Sequence, residues 1–260
     1  MALDPNAVRL DGLVALVTGA AVGIGRATAL ALAAFGADLA VCDRDEENLA
    51  SLAIEIERSG RRVHAGVLDV RDGEQVQAWL AVVAASLGPV DVLVNNAGGG
   101  FGSPFLDVSD KGQDALVREN FTSVTNFVRG VVPLMPENGG SIINVTSIEA
   151  HRAAPGFAVY SAMKAAVASL TKTLALELGP RRIRVNCVAP DVIPTPGIGG
   201  DVEVKTPLPR AGHVDDVAAA AVFLANPALS GFVTGTTIHV DGGNWAAGGW
   251  HRSADGTYTT

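Results

Sequence analysis

Two side chains four residues apart, Tyr160 and Lys164 in the stretch YSAMK, put a phenol and an ammonium where one helix face would hold both. Cβ atoms at i and i+4 lie ~5–6 Å apart, so the two groups can reach the same small volume. A phenol titrates near ~10 in isolation, too high for a ready base at neutral pH, but a neighbouring cation favours the phenolate. Together the two can exchange a proton with a third group. A surface tyrosine beside a solvated lysine accounts for the same five residues, and the remainder of the chain has to decide.

A second cluster has the makings of an anion cradle. TGAAVGIGRATALAL sets Gly19, Gly23 and Gly25, with Ile24 between the last two, at a turn from an apolar run into a helical stretch. A pyrophosphate needs backbone N–H groups at a helix N-terminus and no side chain in its way, and glycine meets both needs. A plain glycine-rich connection is the alternative, and the spacing is T-G-x-x-x-G-x-G rather than G-x-G-x-x-G. Some twenty residues on, the next apolar run ends in Asp43. A carboxylate there accepts hydrogen bonds from ribose hydroxyls and repels a 2′-phosphate, which favours NAD over NADP. Arg44 argues the other way, since a guanidinium binds phosphate. Asp43 has a bland alternative as a helix cap, a role that Asp45 fills at least as well.

The elements that must position these groups follow a simple rhythm. Seven apolar runs, LVALVTG, DLAVCD, RVHAGVLD, VDVLVNNAG, GSIINVTS, IRVNCVAP and TTIHVDGG, read as strands without polar alternation. That pattern belongs to strands buried on both faces of a parallel sheet. Helical stretches lie between them, including a long one from about Ser109 to Met135. Repeated βα units predict an α/β fold, a single-domain Rossmann-type doubly wound parallel sheet of about seven strands over residues 1–260, with helices on both faces. Ligands of such sheets bind beyond the carboxyl ends of the strands. Gly19, Asp43, Asp69, Asn96 with Gly98, Ser147 and Pro190 stand at six successive strand ends, and together they describe one crevice.

Composition narrows the class. Hydrophobic residues are 48% of the chain and aromatics only 5%, so the core is aliphatic and alanine-rich. A net charge of −8 without a basic run argues against nucleic acid. No apolar run reaches the roughly 18 residues of a membrane span, and no secretory leader is visible. A cytoplasmic protein is expected. Cys42 and Cys187 are read as buried thiols, and the five dispersed histidines have no zinc-ligand spacing, so no metal is assigned.

With these residues in view, the chain resembles the short-chain dehydrogenase/reductase family from about residue 10 to residue 243. It carries that family's marks in order: TGAAVGIG at 18–25, Asp69 in LDV, NNAG at 95–98, Asn120 in ENF, Ser147 in NVTS, then YSAMK. The resemblance implies a catalytic tetrad of Asn120, Ser147, Tyr160 and Lys164. Tyr160 would exchange the carbinol proton, Ser147 hold the substrate oxygen, Lys164 tune the phenol and bond the nicotinamide ribose, and Asn120 anchor a water relay. It also implies adenine contacts at Asp69 and Val70, ribose contacts at Asn96, Ala97 and Gly98, and nicotinamide contacts at Ile193 and Thr195 beyond Pro190. Family members are usually homodimers or homotetramers, and the helix after YSAMK is apolar around much of its circumference, as such packing requires.

The expected reaction is hydride transfer between NAD(H) and a small-molecule secondary alcohol or ketone, an apolar one such as a steroid or hydroxyacyl compound leading. A 3-oxoacyl-thioester reductase using NADPH, a sugar or polyol dehydrogenase, and a non-catalytic NAD-binding regulator are the alternatives. Where the family has Pro-Gly this chain has Pro190-Asp191. Asp191, Glu149 and His151 are candidate substrate contacts, with plain solvent exposure the alternative for each. The substrate loop at about 191–209 is short and rich in Gly and Pro. An aromatic tail over 245–260, with Trp245, Trp250, His251 and Tyr258, is expected either to cover an active site or to pack at a subunit interface.

Overall fold

β-Branched runs alternating with alanine-rich segments give seven parallel strands in the computed structural model, which describes residues 4–196, 206–253 and 256–259. The strands are β1 (Val14–Thr18), β2 (Asp38–Asp43), β3 (Val63–Val67), β4 (Val92–Asn95), β5 (Gly140–Val145), β6 (Ile183–Pro190) and β7 (Thr237–Val240). They lie in the order β3-β2-β1-β4-β5-β6-β7, with every neighbouring pair parallel. The order reverses between β1 and β4, so the connections leaving their carboxyl ends diverge and open a crevice.

Helices α1 (Gly23–Ala34) and α2 (Glu46–Arg58) cover one face of the sheet together with α7 (Val214–Ala225). The other face carries α3 (Gly73–Leu87), α5 (Ser123–Val131) and α6 (Ala158–Leu178), α4 (Asp110–Val117) preceding α5. Small helices α8 (Pro227–Ser230) and α9 (Asn244–Ala247) follow α7 and β7. Starts are chemically marked: Asp45 caps α2 and Asp72 caps α3 through side-chain oxygens that accept first-turn N–H groups.

The expectation of strands buried on both faces holds at the centre and fails at the edges. β1 and β6 are buried throughout, whereas β3 at one edge leaves Val67 55% exposed and β7 at the other is half-buried. An edge strand has a neighbour on one side only, and sequence hydropathy does not reveal which strand that is. The segment expected to be one helix from about Ser109 to Met135 is broken by a π-turn at Arg118–Thr122. The aromatic tail folds into α9 and a small antiparallel hairpin of β8 (His251–Arg252) with β9 (Tyr258–Thr259). Of the 191–209 loop, residues 197–205 lie outside the described residues.

One buried polar ladder ties the centre of the sheet to α6. Asn95 on β4 donates to the Asn144 side chain on β5 at 2.8 Å, and Asn144 donates to Thr171 on α6 at 2.8 Å. The Cys187 thiol on β6 reaches the same Thr171 hydroxyl at 3.1 Å. Asn144→Ala would orphan the Asn95 amide in the core and leave the Thr171 hydroxyl with the Cys187 thiol alone. It should cost about 2–4 kcal/mol in urea unfolding, well above a surface substitution.

Candidate active site

The glycine turn is drawn tightly onto the end of β4. Asn96 donates to the carbonyls of Thr18 and Gly19 at 3.0 and 2.9 Å, while the Thr18 hydroxyl accepts from Asn96 N and Ala97 N. Such closeness needs glycine at position 25, where a Cβ would stand 2.0 Å from the Gly19 carbonyl oxygen. The chain preceding α1 offers no side-chain cap, so the first-turn N–H groups of a twelve-residue helix meet the crevice without a side-chain acceptor. Asp43 closes the far side. Its carboxylate accepts from Ala21 N at 3.0 Å and from Arg44 N at 2.7 Å, joining the end of β2 to the glycine turn.

The crevice has a volume of about 620 Å³. Gly19, Gly23, Ile24, Asp43, Arg44 and Val70 line its first half. Asn96, Ala97 and Gly98 form its floor, and Ser147, Glu149, Tyr160 and Lys164 its other end. Pro190, Asp191, Ile193 and Thr195 close it from above β6. The loop after β6 leans back on the glycine turn, and a Cβ on Gly23 would meet Thr195 Cγ2 at 3.2 Å.

Four expected residues stand off the lining. Gly25 lies behind the turn. Asp69 sits beside Val70, but its carboxylate is engaged by the Arg71 guanidinium, which also pulls its pKa down to about 2. His151 packs against His239 and Trp245. Asn120 is fully buried inside the π-turn. Its amide donates to Leu116 O at 2.9 Å and to Gly99 O at 2.8 Å, while its carbonyl oxygen accepts from Gly99 N at 3.2 Å. By taking the carbonyl four residues back, the Asn120 side chain occupies an acceptor of the helical ladder where the helix widens.

Lys164 is the centre of this end. Only 4% of it is exposed, and its ammonium donates to Val145 O at 3.0 Å. Nζ lies 5.7 Å from the centre of the Tyr160 ring. A Cβ on Gly98 would stand 2.9 Å from Lys164 Nζ and 2.8 Å from Asn120 Oδ1, so only glycine fits between them. The Ser147 hydroxyl accepts from Glu149 N at 3.2 Å and lines the crevice together with Tyr160.

Known proteins share both sequence and architecture. A family model described as enoyl-(acyl carrier protein) reductase matches residues 19–244. A 3-oxoacyl-[acyl-carrier-protein] reductase of Thermotoga maritima is 41% identical over 244 residues, covering 91% of this chain and 99% of that protein. A Burkholderia cenocepacia gluconate 5-dehydrogenase solved with NADP and tartrate superposes with TM-score 0.87 at 36% identity, over 93% of this chain and 98% of that one. A short chain dehydrogenase of Mycobacterium paratuberculosis bound to NAD gives 0.88 at 30% identity, over 92% and 99%. The chain belongs to the short-chain dehydrogenase/reductase family. It is an oxidoreductase of CH–OH groups and their ketones that uses a nicotinamide cofactor.

Within that family site, the electrostatics depart from the simplest expectation. Burial pushes the Tyr160 phenol above its ordinary value, the Ser147 hydrogen bond pulls it back, and the negative charge of Glu149 adds to the rise. Lys164, whose effect was expected to dominate, is itself lowered to about 8 by burial. Sequence reasoning also missed Glu119, which lines the crevice and pairs with Arg44 at 3.5 Å. Its place next to Asn120 in ENF was the available signal. Of the two readings of Asp191, substrate contact or solvent exposure, the second does not hold: its side chain is 10% exposed. It accepts from Asn244 at 2.6 Å, with Arg152 3.5 Å away.

A lysine lowered from 10.5 to about 8 on folding destabilises the folded state at neutral pH. The unfolded chain keeps its proton between those two values and the folded one does not, so stability rises with pH across that window. Lys164→Met should therefore be more stable than the parent at pH 7, by up to about 3 kcal/mol, while losing turnover. Denaturant titrations should find that advantage reduced to roughly half by pH ~9.5, since other titrating groups cancel in the difference.

Proposed function

We propose that this chain interconverts a secondary alcohol and its ketone with NAD(H), Tyr160 exchanging the carbinol proton. The supporting observation is the convergence of Tyr160, Ser147 and Lys164 on one end of a crevice whose other end is an uncapped helix N-terminus with an acidic residue opposite. These residues fit a dinucleotide: the glycine turn at Gly19 and Gly23 would hold its phosphates by backbone N–H groups, Asp43 would accept from a ribose, and Ile193 and Thr195 would hold the nicotinamide. NAD(H), when bound there, supplies the hydride acceptor or donor. Ser147 holds the carbinol oxygen and Tyr160 takes or returns its proton. Lys164, fixed by Val145 O, keeps a positive charge behind the phenol, and Asn120 holds the Gly98–Gly99 backbone that leaves room for it.

NAD is favoured over NADP because Asp43 faces the ribose position and the Arg44 charge is met by Glu119. The same pairing tells against the NADPH-dependent thioester reductase alternative. Retention of both Tyr160 and Lys164 tells against a non-catalytic regulator. The two free, buried thiols suit the reducing cytoplasm, and exposed Leu176 on α6 suits association into a homodimer or homotetramer.

Tyr160→Phe should lower kcat by roughly 10²–10⁴-fold while NADH affinity, followed by nicotinamide fluorescence, changes less than about threefold. Turnover near the parental rate would contradict the role given to the phenol. Asp43→Asn should shift the NAD-to-NADP ratio of kcat/KM towards NADP by about tenfold or more, and an unmoved ratio would remove the argument for NAD.

A further inference from the structure

At the reacting end of the crevice, two carboxylates line the wall beside Tyr160: Glu149, two residues after Ser147, and Asp191, directly after β6. One guanidinium nitrogen holds them side by side. Arg152 Nη2 lies 2.8 Å from Glu149 Oε1 and 3.5 Å from Asp191 Oδ1. A third carboxylate, Asp241, acts on the same guanidinium and is itself almost buried. Among the described residues this cluster has three negative charges for one positive. The Asp191 carboxylate is held from two further sides, since Val192 N donates to Oδ1 at 2.8 Å and the Asn244 side-chain amide, at the start of α9, donates to Oδ2 at 2.6 Å. Phe157 also lines this end, edge-on to Tyr160 with ring centres 6.4 Å apart.

Resting on the dehydrogenase reading above, we propose that Glu149 and Asp191 form a hydroxyl-accepting, anion-rejecting subsite, and that the substrate is a neutral polyhydroxylated alcohol or its ketone. A carboxylate accepts at about four positions and donates at none. The contacts to Arg152, Val192 and Asn244 leave both groups with acceptor capacity towards the crevice, which hydroxyls flanking the reacting carbinol would fill. The C–H edges of such a molecule would lie on Phe157. An apolar alcohol would strip water from two carboxylates and return no hydrogen bond. A carboxylate or phosphate substrate would meet like charge at close range. None of the described residues of the tail lines this chain's own crevice. Trp245 is instead stacked on His239, 4.4 Å between ring centres.

Matched secondary alcohols test this in the full-length protein with NAD: threitol, butan-2-ol and tartrate as a four-carbon set, and a hexitol, hexan-2-ol and gluconate as a six-carbon set. The parent should favour the neutral polyol over both companions by about tenfold or more in kcat/KM. In Glu149→Gln and in Asp191→Asn the polyol-to-alkanol ratio should fall by about tenfold, and the polyol-to-anion ratio further, mainly through KM for the polyol. Each ratio is taken within one preparation, so partial loss of fold cancels. A parent that prefers the alkanol or the anion, or variants whose ratios match the parent's, would overturn the subsite while the dehydrogenase reading stands. Absence of NADH formation from every alcohol in both sets would overturn the dehydrogenase reading and the subsite with it.

Discussion

Burying the ammonium of Lys164 is the act on which the rest of the site depends. A charge at 4% exposure is unfavourable unless its surroundings are polar and fixed, and the chain meets that demand from four directions. Val145 O, freed at the end of β5, accepts its hydrogen bond. Gly98 withholds a Cβ that would otherwise occupy the same space. Asn120, held in the π-turn, fixes the backbone after Gly98 through a pair of hydrogen bonds to Gly99. Below them, the Asn95–Asn144–Thr171 ladder pins α6 to β4 and β5, which sets the depth at which the lysine enters. Elements far apart in sequence thus serve one positive charge beneath a phenol. The lowered lysine pKa records what remains unfavourable after these arrangements.

Much of this was legible in the residues. The parallel sheet followed from seven apolar runs without alternation, and the crevice from polar or glycine residues at successive strand ends. The tyrosine–lysine pair followed from i, i+4 geometry, and Lys164 does stand behind Tyr160. What escaped were properties created by packing. Hydropathy could not tell which strands would be edges, so β3 and β7 were expected to be as buried as β1. Helical periodicity could not show that Asn120 would capture Leu116 O and widen the helix. Asp69 looked free for a ligand until Arg71, two residues on, folded back onto it. Solvent exposure stayed open for Asp191 because its partners, Arg152 and Asn244, are 39 and 53 residues away along the chain.

The two ends of the crevice use charge in opposite ways. At the glycine turn, first-turn N–H groups without a side-chain cap offer positive potential, and the Arg44 guanidinium that lines the crevice is tempered by Glu119. At the reacting end the excess is negative, with Glu149 and Asp191 beside the phenol. That excess makes a phenolate at Tyr160 harder to form, as the rise of its pKa with Glu149 among the causes indicates. The positive charge of an oxidised nicotinamide would act in the opposite sense. On this account the site is balanced so that the phenol stays protonated until the crevice is filled.

That balance is directly measurable because the chain has only two tyrosines. In a Tyr258→Phe background, phenolate absorbance reports Tyr160 alone as pH is raised, with and without saturating NAD⁺. The account predicts ionisation above the ordinary tyrosine range in the free protein and a clear downward displacement when NAD⁺ is added. Identical titrations in the two states would contradict it.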